Sequence, residues 1–491
     1  MKVLLIQAAN AKYKAYYAKT TGFPNGILFI AAVLEQAGHD VMIYDQMVDA
    51  RRPEDFKDFS PDLLGFTVIA GPHLEGSIAV TKEFRSLYPT VPIAWGNIHP
   101  SVLSEQCLQQ TYIDYVVVGA GEFTMLDLCN SLSQGSPKLE EIQGLAFKKD
   151  GKIVFNGCRP FVQNLDDLPD PAWHLIDVPK YTSPCLNTSR GCSNACSFCY
   201  NKSYNKGYYA AESAERILEQ VQILQTKYGI KDIRLSEDNF TFNRKRLREF
   251  CNLIIDRKIK LKWWCDARCD LSETDVALMA KAGCHSVGLG VESGSQRMLD
   301  FMNKGITVAE AEKTFWLLIK YRIRTTCYVL YGLPTETVDD FNQTQALLKR
   351  LDNPYYFLNR FVPFPGSDLF DYCVHNNLIE APQKLEDWPA YIMEYSTKIN
   401  LTNCPESMLS EAATNFRNNY AVQRFRFTFK HNKRYFLNMF KNPLQFMRDL
   451  RDLVVYHFQI NVFSKTIRRR VTQGAISGKG VMASLAPKGV D

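Results

Sequence analysis

The chain predicts an α/β protein: a doubly wound parallel sheet, then a partial barrel of six βα units, then a mainly helical region. Three observations predict it. Short apolar runs alternate with apolar residues at helical spacing over residues 1–140; the alternation restarts and repeats through 181–375; and an aperiodic, proline-rich linker at 141–180 separates the two. Apolar strands alternating with helices belong to parallel sheets covered on both faces. At 491 residues the chain has room for about three domains.

In the first domain Val3–Gln7 is a strand, and Gly26–Gln36 carries the helical period until Gly38 stops it. Val41–Asp45, Asp62–Val68, Pro92–Gly96 and Tyr112–Val118 read as four further strands. Gly121-Glu122 opens a helix, Gly151–Phe155 reads as hairpin, and Leu168–His174 is extended. In the second domain the strands are Cys185–Ser189, Asp232–Ser236, Lys262–Ala267, Ser286–Val291, Thr326–Tyr331 and Tyr356–Val362. Between them fall helices near Glu212–Lys227, Lys245–Arg257, Glu273–Lys281, Val308–Tyr321 and Thr337–Lys349. Both architectures place ligands at the carboxyl ends of their strands.

The run Thr188–Tyr200 after the first barrel strand holds Cys192, Cys196 and Cys199, spaced Cys-x-x-x-Cys-x-x-Cys. A cube of four irons takes four thiolates, so three leave one iron open to another molecule. Spacing alone leaves zinc open as well, although no second close cysteine pair completes a structural zinc site. Other strand ends carry polar groups: Glu237-Asp238 after the second, Arg268 after the third, Glu292-Ser293 after the fourth and Gly332-Leu-Pro334 after the fifth. Among the histidines, His99 belongs to a turn of the first domain, and His285 starts a strand away from the catalytic end; neither is assigned a chemical role. Tyr328, Tyr331 and Arg360 read as core or structural residues, with a substrate pocket as the other reading.

The cysteine spacing, with Phe198 directly before Cys199, resembles the signature of the radical S-adenosylmethionine (SAM) superfamily. The resemblance implies a 4Fe-4S cluster on Cys192, Cys196 and Cys199 whose fourth iron is chelated by SAM, with Phe198 near the adenine. By position, Glu237 or Asp238 would hold the SAM amino group, Arg268 its carboxylate or a neighbouring acid, and Glu292 with Ser293 the amino group or ribose. It also implies an electron donor such as a flavodoxin or ferredoxin.

The first domain resembles a cobalamin-binding domain. Thr67-x-Ile69 stands where such domains carry Ser-x-Leu, and Gly96-Asn97 where they carry Gly-Gly. The Asp-x-His-x-x-Gly motif is replaced by Asp45-Gln-Met47-Val-Asp-Ala50, so the resemblance implies cobalamin without a histidine lower ligand from this motif. Over about residues 1–375 the chain resembles cobalamin-dependent radical SAM methyltransferases. The implied reaction methylates an unactivated carbon of a small-molecule or lipid-like biosynthetic intermediate; cyclisation or rearrangement with the same cofactors, and a non-catalytic iron–sulfur or zinc protein, are the alternatives.

Composition is that of a globular chain, 46% hydrophobic and 22% charged, and no apolar run reaches the length of about 20 residues that spans a bilayer. The start lacks the features of a signal peptide, and 14 irregularly spaced cysteines suit a reducing compartment, so a cytoplasmic protein is expected. The net charge of +6 is uneven: residues 421–470 carry 12 Lys and Arg against Asp449 and Asp452. There, at 376–470, aromatics such as Phe425 and Phe436 interleave with Arg424 and Arg434, a pattern suited to a helical cap or to peripheral contact with an anionic membrane. No nucleic acid is expected, because no recognised RNA module accompanies the basic residues. Residues 471–491 read as a disordered tail.

Overall fold

A computed structural model of the chain describes residues 1–10, 21–353, 355–392 and 399–411. The basic and aromatic run expected to be helical and the tail at 471–491 lie outside them. The first sheet has seven strands: β1 Lys2–Gln7, β2 Asp40–Asp45, β3 Leu63–Thr67, β4 Ile93–Gly96, β5 Tyr115–Val117, β6 Leu145–Lys149 and β7 Lys152–Phe155. Their spatial order is β2-β1-β3-β4-β5-β6-β7. The first five are parallel, and the β6–β7 hairpin adds antiparallel to β5. The hairpin therefore belongs to the first sheet, which corrects the expectation of a linker over all of 141–180. Pairing of Gln7 with Thr67 and of Thr67 with Gly96 lines the carboxyl ends up at one level.

Next come β8 Cys185–Leu186, β9 Ser189–Arg190, β10 Ala210–Ala211, β11 Asp232–Leu235, β12 Lys262–Ala267, β13 Cys284–Glu292, β14 Arg324–Tyr331 and β15 Tyr356–Arg360. Six of them form an all-parallel sheet in the order β15-β14-β13-β12-β11-β8, the expected partial barrel; β9 and β10 pair separately. Strand faces alternate as a parallel barrel requires. Trp263 points to the helix layer and meets Phe240 and Phe250 edge-on at 5.6 and 5.5 Å, whereas Asp266 points inward to Tyr328, whose hydroxyl donates to it at 2.9 Å. Gly288 leaves room for this pair, since a Cβ there would lie 2.1 Å from Asp266 Oδ1 and would force the side chains to shift.

The two sheets share one compact unit. Phe29 and Val33, from the helix Asn25–Gln36, bury against Leu165, Leu168 and Ala210. Asp45 accepts from Gln7 at 3.1 Å and, across the junction, from the Tyr181 hydroxyl at 3.0 Å. Asp45, the first residue of the Asp45–Ala50 segment, thus joins the two domains, and burial raises its carboxyl pKa. The chain after the barrel also returns to the first domain: Gln106 donates to the Pro382 carbonyl at 2.9 Å, and Trp388 donates to Gln106 at 2.7 Å. The 376–392 segment is thus a strap across the first domain. Among the described residues no helix is long and apolar enough to cross a membrane.

Candidate functional site

The carboxyl ends of the two sheets enclose a cavity of about 410 Å³. One wall is the first domain at the ends of β1, β3 and β4; the strand order reverses between β1 and β3, where such a sheet opens a crevice. It offers Gly65, Thr67, Gly96 and Asn97. The Asn97 amide donates to the Thr67 hydroxyl at 2.8 Å, and Asn97 sits at φ 86°, a backbone conformation that favours glycine. Ile69, expected beside Thr67, is exposed and does not line the cavity. Behind this wall His99 is 1% exposed, and neither ring nitrogen has a hydrogen-bond partner within the protein; burial lowers its pKa to about 4.

The opposite wall is the barrel rim, with Asn187, Gly191, Tyr200, Tyr204 and Asp238. The cysteine loop is clamped to the barrel by backbone. Ser197 N–H donates to the Met302 carbonyl at 2.9 Å, Leu369 N–H donates to the Ser197 carbonyl at 2.8 Å, and the Asn303 amide donates to the Ala195 carbonyl at 2.8 Å. Gly191 at φ 78° turns the chain into the loop, where a Cβ would lie 2.1 Å from the Tyr208 carbonyl oxygen. All 14 cysteines are free. Among the described residues no three Cys, His, Asp or Glu side chains converge as a single-ion site demands. Three thiols on one clamped loop are the donor set that a four-iron cube with one open iron takes. Cations flank it: Arg268 reaches Cys196 Sγ at 3.4 Å, and Lys304 Nζ lies 5.7 Å from the centre of the Phe198 ring.

The remaining rim residues separate into engaged and available. Glu237 is fully buried, its carboxylate held by the Thr188 and Ser189 hydroxyls and by Arg246 at 2.7 Å. The carboxylate so held fixes the turn between the first two barrel strands, and Glu237 also lines the cavity. Ser293 is also fully buried, sharing a hydrogen bond with Thr344 at 3.0 Å and accepting from Ser295 N–H at 3.1 Å. Asp238 faces the cavity, and burial in that concave setting raises its carboxyl pKa. Glu292 ends β13 at φ 62°, where the pairing with β14 shifts register. Such strain persists only where the surroundings fix it, and it gathers at functional sites. The Glu292 carboxylate is paired with buried Lys304 at 2.6 Å, so Arg268 is not its ionic partner; Arg268 donates to the Lys304 carbonyl instead. Lys304, Arg246, Arg190 and Glu122 were not anticipated from the sequence. Of these only Glu122, in Gly119-Ala-Gly-Glu122 after a strand, carries a local pattern that could have marked it.

This is an α/β protein in which a face of small residues and a barrel rim that flanks the cysteine loop, with Gly191 and Tyr200 at its edge, meet across one cavity. Residues 186–348 match the radical SAM superfamily model and residues 16–128 the B12 binding domain model. The chain is 31% identical over 390 residues to an uncharacterized methyltransferase of Pyrococcus horikoshii, covering 77% of this chain and 84% of that protein. It is 27% identical over 368 residues to the anaerobic magnesium-protoporphyrin IX monomethyl ester cyclase of Rubrivivax gelatinosus, covering 71% and 65%. Its fold is similar to that of the radical S-adenosylmethionine methyltransferase TsrM from Kitasatospora setae with cobalamin and [4Fe-4S] cluster bound, at a TM-score of 0.66 and 19% identity over 78% of this chain and 76% of that one. The chain belongs to the radical SAM superfamily, and a B12 binding domain precedes its radical SAM domain.

Proposed function

We propose that this chain is a cobalamin-dependent radical SAM enzyme that methylates an unactivated carbon of a small-molecule or lipid-like intermediate. The observation that carries the reading is the single cavity bounded by Thr67, Gly96 and Asn97 on one side and by the rim beside the cysteine loop on the other. Cys192, Cys196 and Cys199 would hold the cluster; Asp238, Arg268 and Glu292, with Phe198, would hold SAM; Thr67, Gly96 and Asn97 would take cobalamin, with no histidine from the Asp45–Ala50 segment beneath the cobalt. Bound there, the cluster and SAM supply a radical able to remove hydrogen from carbon, and the corrinoid supplies a methyl group. The chain's own task is placement: the clamped loop and the paired charges set the geometry in which a substrate lies between the two faces. The relative named as a methyltransferase supports methyl transfer.

The relative named as a cyclase favours a second reading, ring formation with the same cofactors. Anaerobic reconstitution with iron, sulfide, hydroxocobalamin and reductant tests the class: 5′-deoxyadenosine should form from SAM, and its absence would overturn the enzyme reading. Methyl-labelled SAM then separates the two, since label in the product is required for methylation and missing for cyclisation. A reducing cytoplasm with a flavodoxin or ferredoxin donor suits the free cysteines. For the lipid-like substrate, the full chain should sediment with anionic liposomes and not with neutral ones; equal behaviour would remove that support.

A further inference from the structure

The Glu122 carboxylate opens the helix Glu122–Gln134 beyond β5 and lines the cavity, yet the residue is only 3% exposed. Its two oxygens are treated differently. Oε1 accepts from Arg190 at 2.5 Å, whereas Oε2 is buried with no hydrogen-bond partner within the protein. Arg190 is itself fixed, by the pairing of β9 with β10 and by the Phe29 ring 5.3 Å from its guanidinium. A buried carboxylate oxygen without a donor is costly, and native proteins seldom leave one so. Its charge is already neutralised by Arg190, so the partner that fits is an uncharged N–H donor rather than a second cation. The surrounding wall of Phe29, Ile30, Val117 and Met125 suits a broad, largely apolar ligand edge that carries such donors.

We propose that Glu122 is a direct hydrogen-bond acceptor for the corrinoid, with Oε2 taking an N–H from one of the primary amides that fringe a corrin ring. The inference rests on the cofactor reading above and adds a recognition residue to it. Only Gly191 separates Arg190 from Cys192, so the acceptor that meets the corrin is tied through one ion pair to the start of the cysteine loop.

The test is an equilibrium titration of the full chain with hydroxocobalamin, followed by absorption, with iron content after reconstitution reporting that each variant is folded. Glu122→Ala should weaken binding about ten-fold or more, as loss of a charge-assisted hydrogen bond does. The isosteric Glu122→Gln should also weaken it, because its one oxygen stays with Arg190 and an NH2 group faces the ligand. Cobinamide, which keeps the ring amides and lacks the nucleotide tail, should show the same fractional loss. A loss confined to cobalamin would move the contact to the tail and overturn the assignment, as would unchanged affinity in both variants. Failure of the unaltered chain to bind any corrinoid is a different result, which would overturn the cofactor reading together with this inference.

Discussion

On the first-domain wall, Thr67, Gly96 and Asn97 end neighbouring parallel strands and offer small side chains and backbone; on the barrel wall, Glu237 and Glu292 carry charges already met by Arg246 and Lys304. The contrast teaches how each wall selects. A wall of small groups admits whatever matches its shape, and little has to be rearranged when a ligand arrives. A charged wall works only if each charge is held before the ligand comes, because a buried charge without a partner is penalised heavily. This explains why the barrel side is knit by long-range pairs, and why its acids divide into those that hold the frame and those that face the cavity.

The largest expected effect breaks the barrel wall alone. Cys196→Ala should abolish 5′-deoxyadenosine formation, a loss beyond the about 10–100-fold that a ligand's supporting residue is worth, while corrinoid binding persists. Turnover in that variant, measured by chromatography, would break the contrast. Next, Arg246→Met leaves the fully buried Glu237 carboxylate without its cation and should destabilise the fold by about 3–5 kcal/mol in urea unfolding; a change under about 1 kcal/mol would show that the pair does not frame the rim.

The first-domain wall has a titration of its own. His99 is kept neutral by burial, with a pKa of about 4 against an ordinary 6.5. As pH falls below 6.5 the unfolded chain binds the proton first, so stability drops between pH 6.5 and 4 by about 3 kcal/mol. His99→Phe should flatten that drop, and an unchanged slope would exclude His99 as its source. The smallest effect sharpens the shape argument. At Gly96 an added Cβ meets only Val117, at 3.6 Å, an ordinary contact. Gly96→Val should therefore keep thermal stability while its methyl groups fill the cavity and weaken corrinoid binding about ten-fold.

Much of this was legible in the sequence, for a reason visible in particular residues. Apolar runs such as Leu63–Thr67 and helical periods such as Glu273–Lys281 are local, so both sheets and most helices could be read, and the strand-end residues with them. Partnerships are not local. Glu237 reads as a rim acid until Arg246 and Thr188 are seen to close on it, and so does Glu292 until Lys304 arrives from 12 residues on. Which way Ser293 and Ile69 turn was not legible either, because a register position does not disclose a side chain's direction once the strand has ended. The hairpin was legible, but its joining the first sheet was not, since edge pairing with β5 leaves no periodic mark.

Independence of the two walls, each holding its own group, is the property on which the reading stands. It is tested most directly by measuring iron and corrinoid together, after anaerobic reconstitution, in the unaltered chain, Cys196→Ala and Gly96→Val. About four irons and about one corrinoid per unaltered chain are expected, with iron lost and corrinoid kept in Cys196→Ala, and corrinoid weakened and iron kept in Gly96→Val. Loss of both groups together in either variant would contradict it.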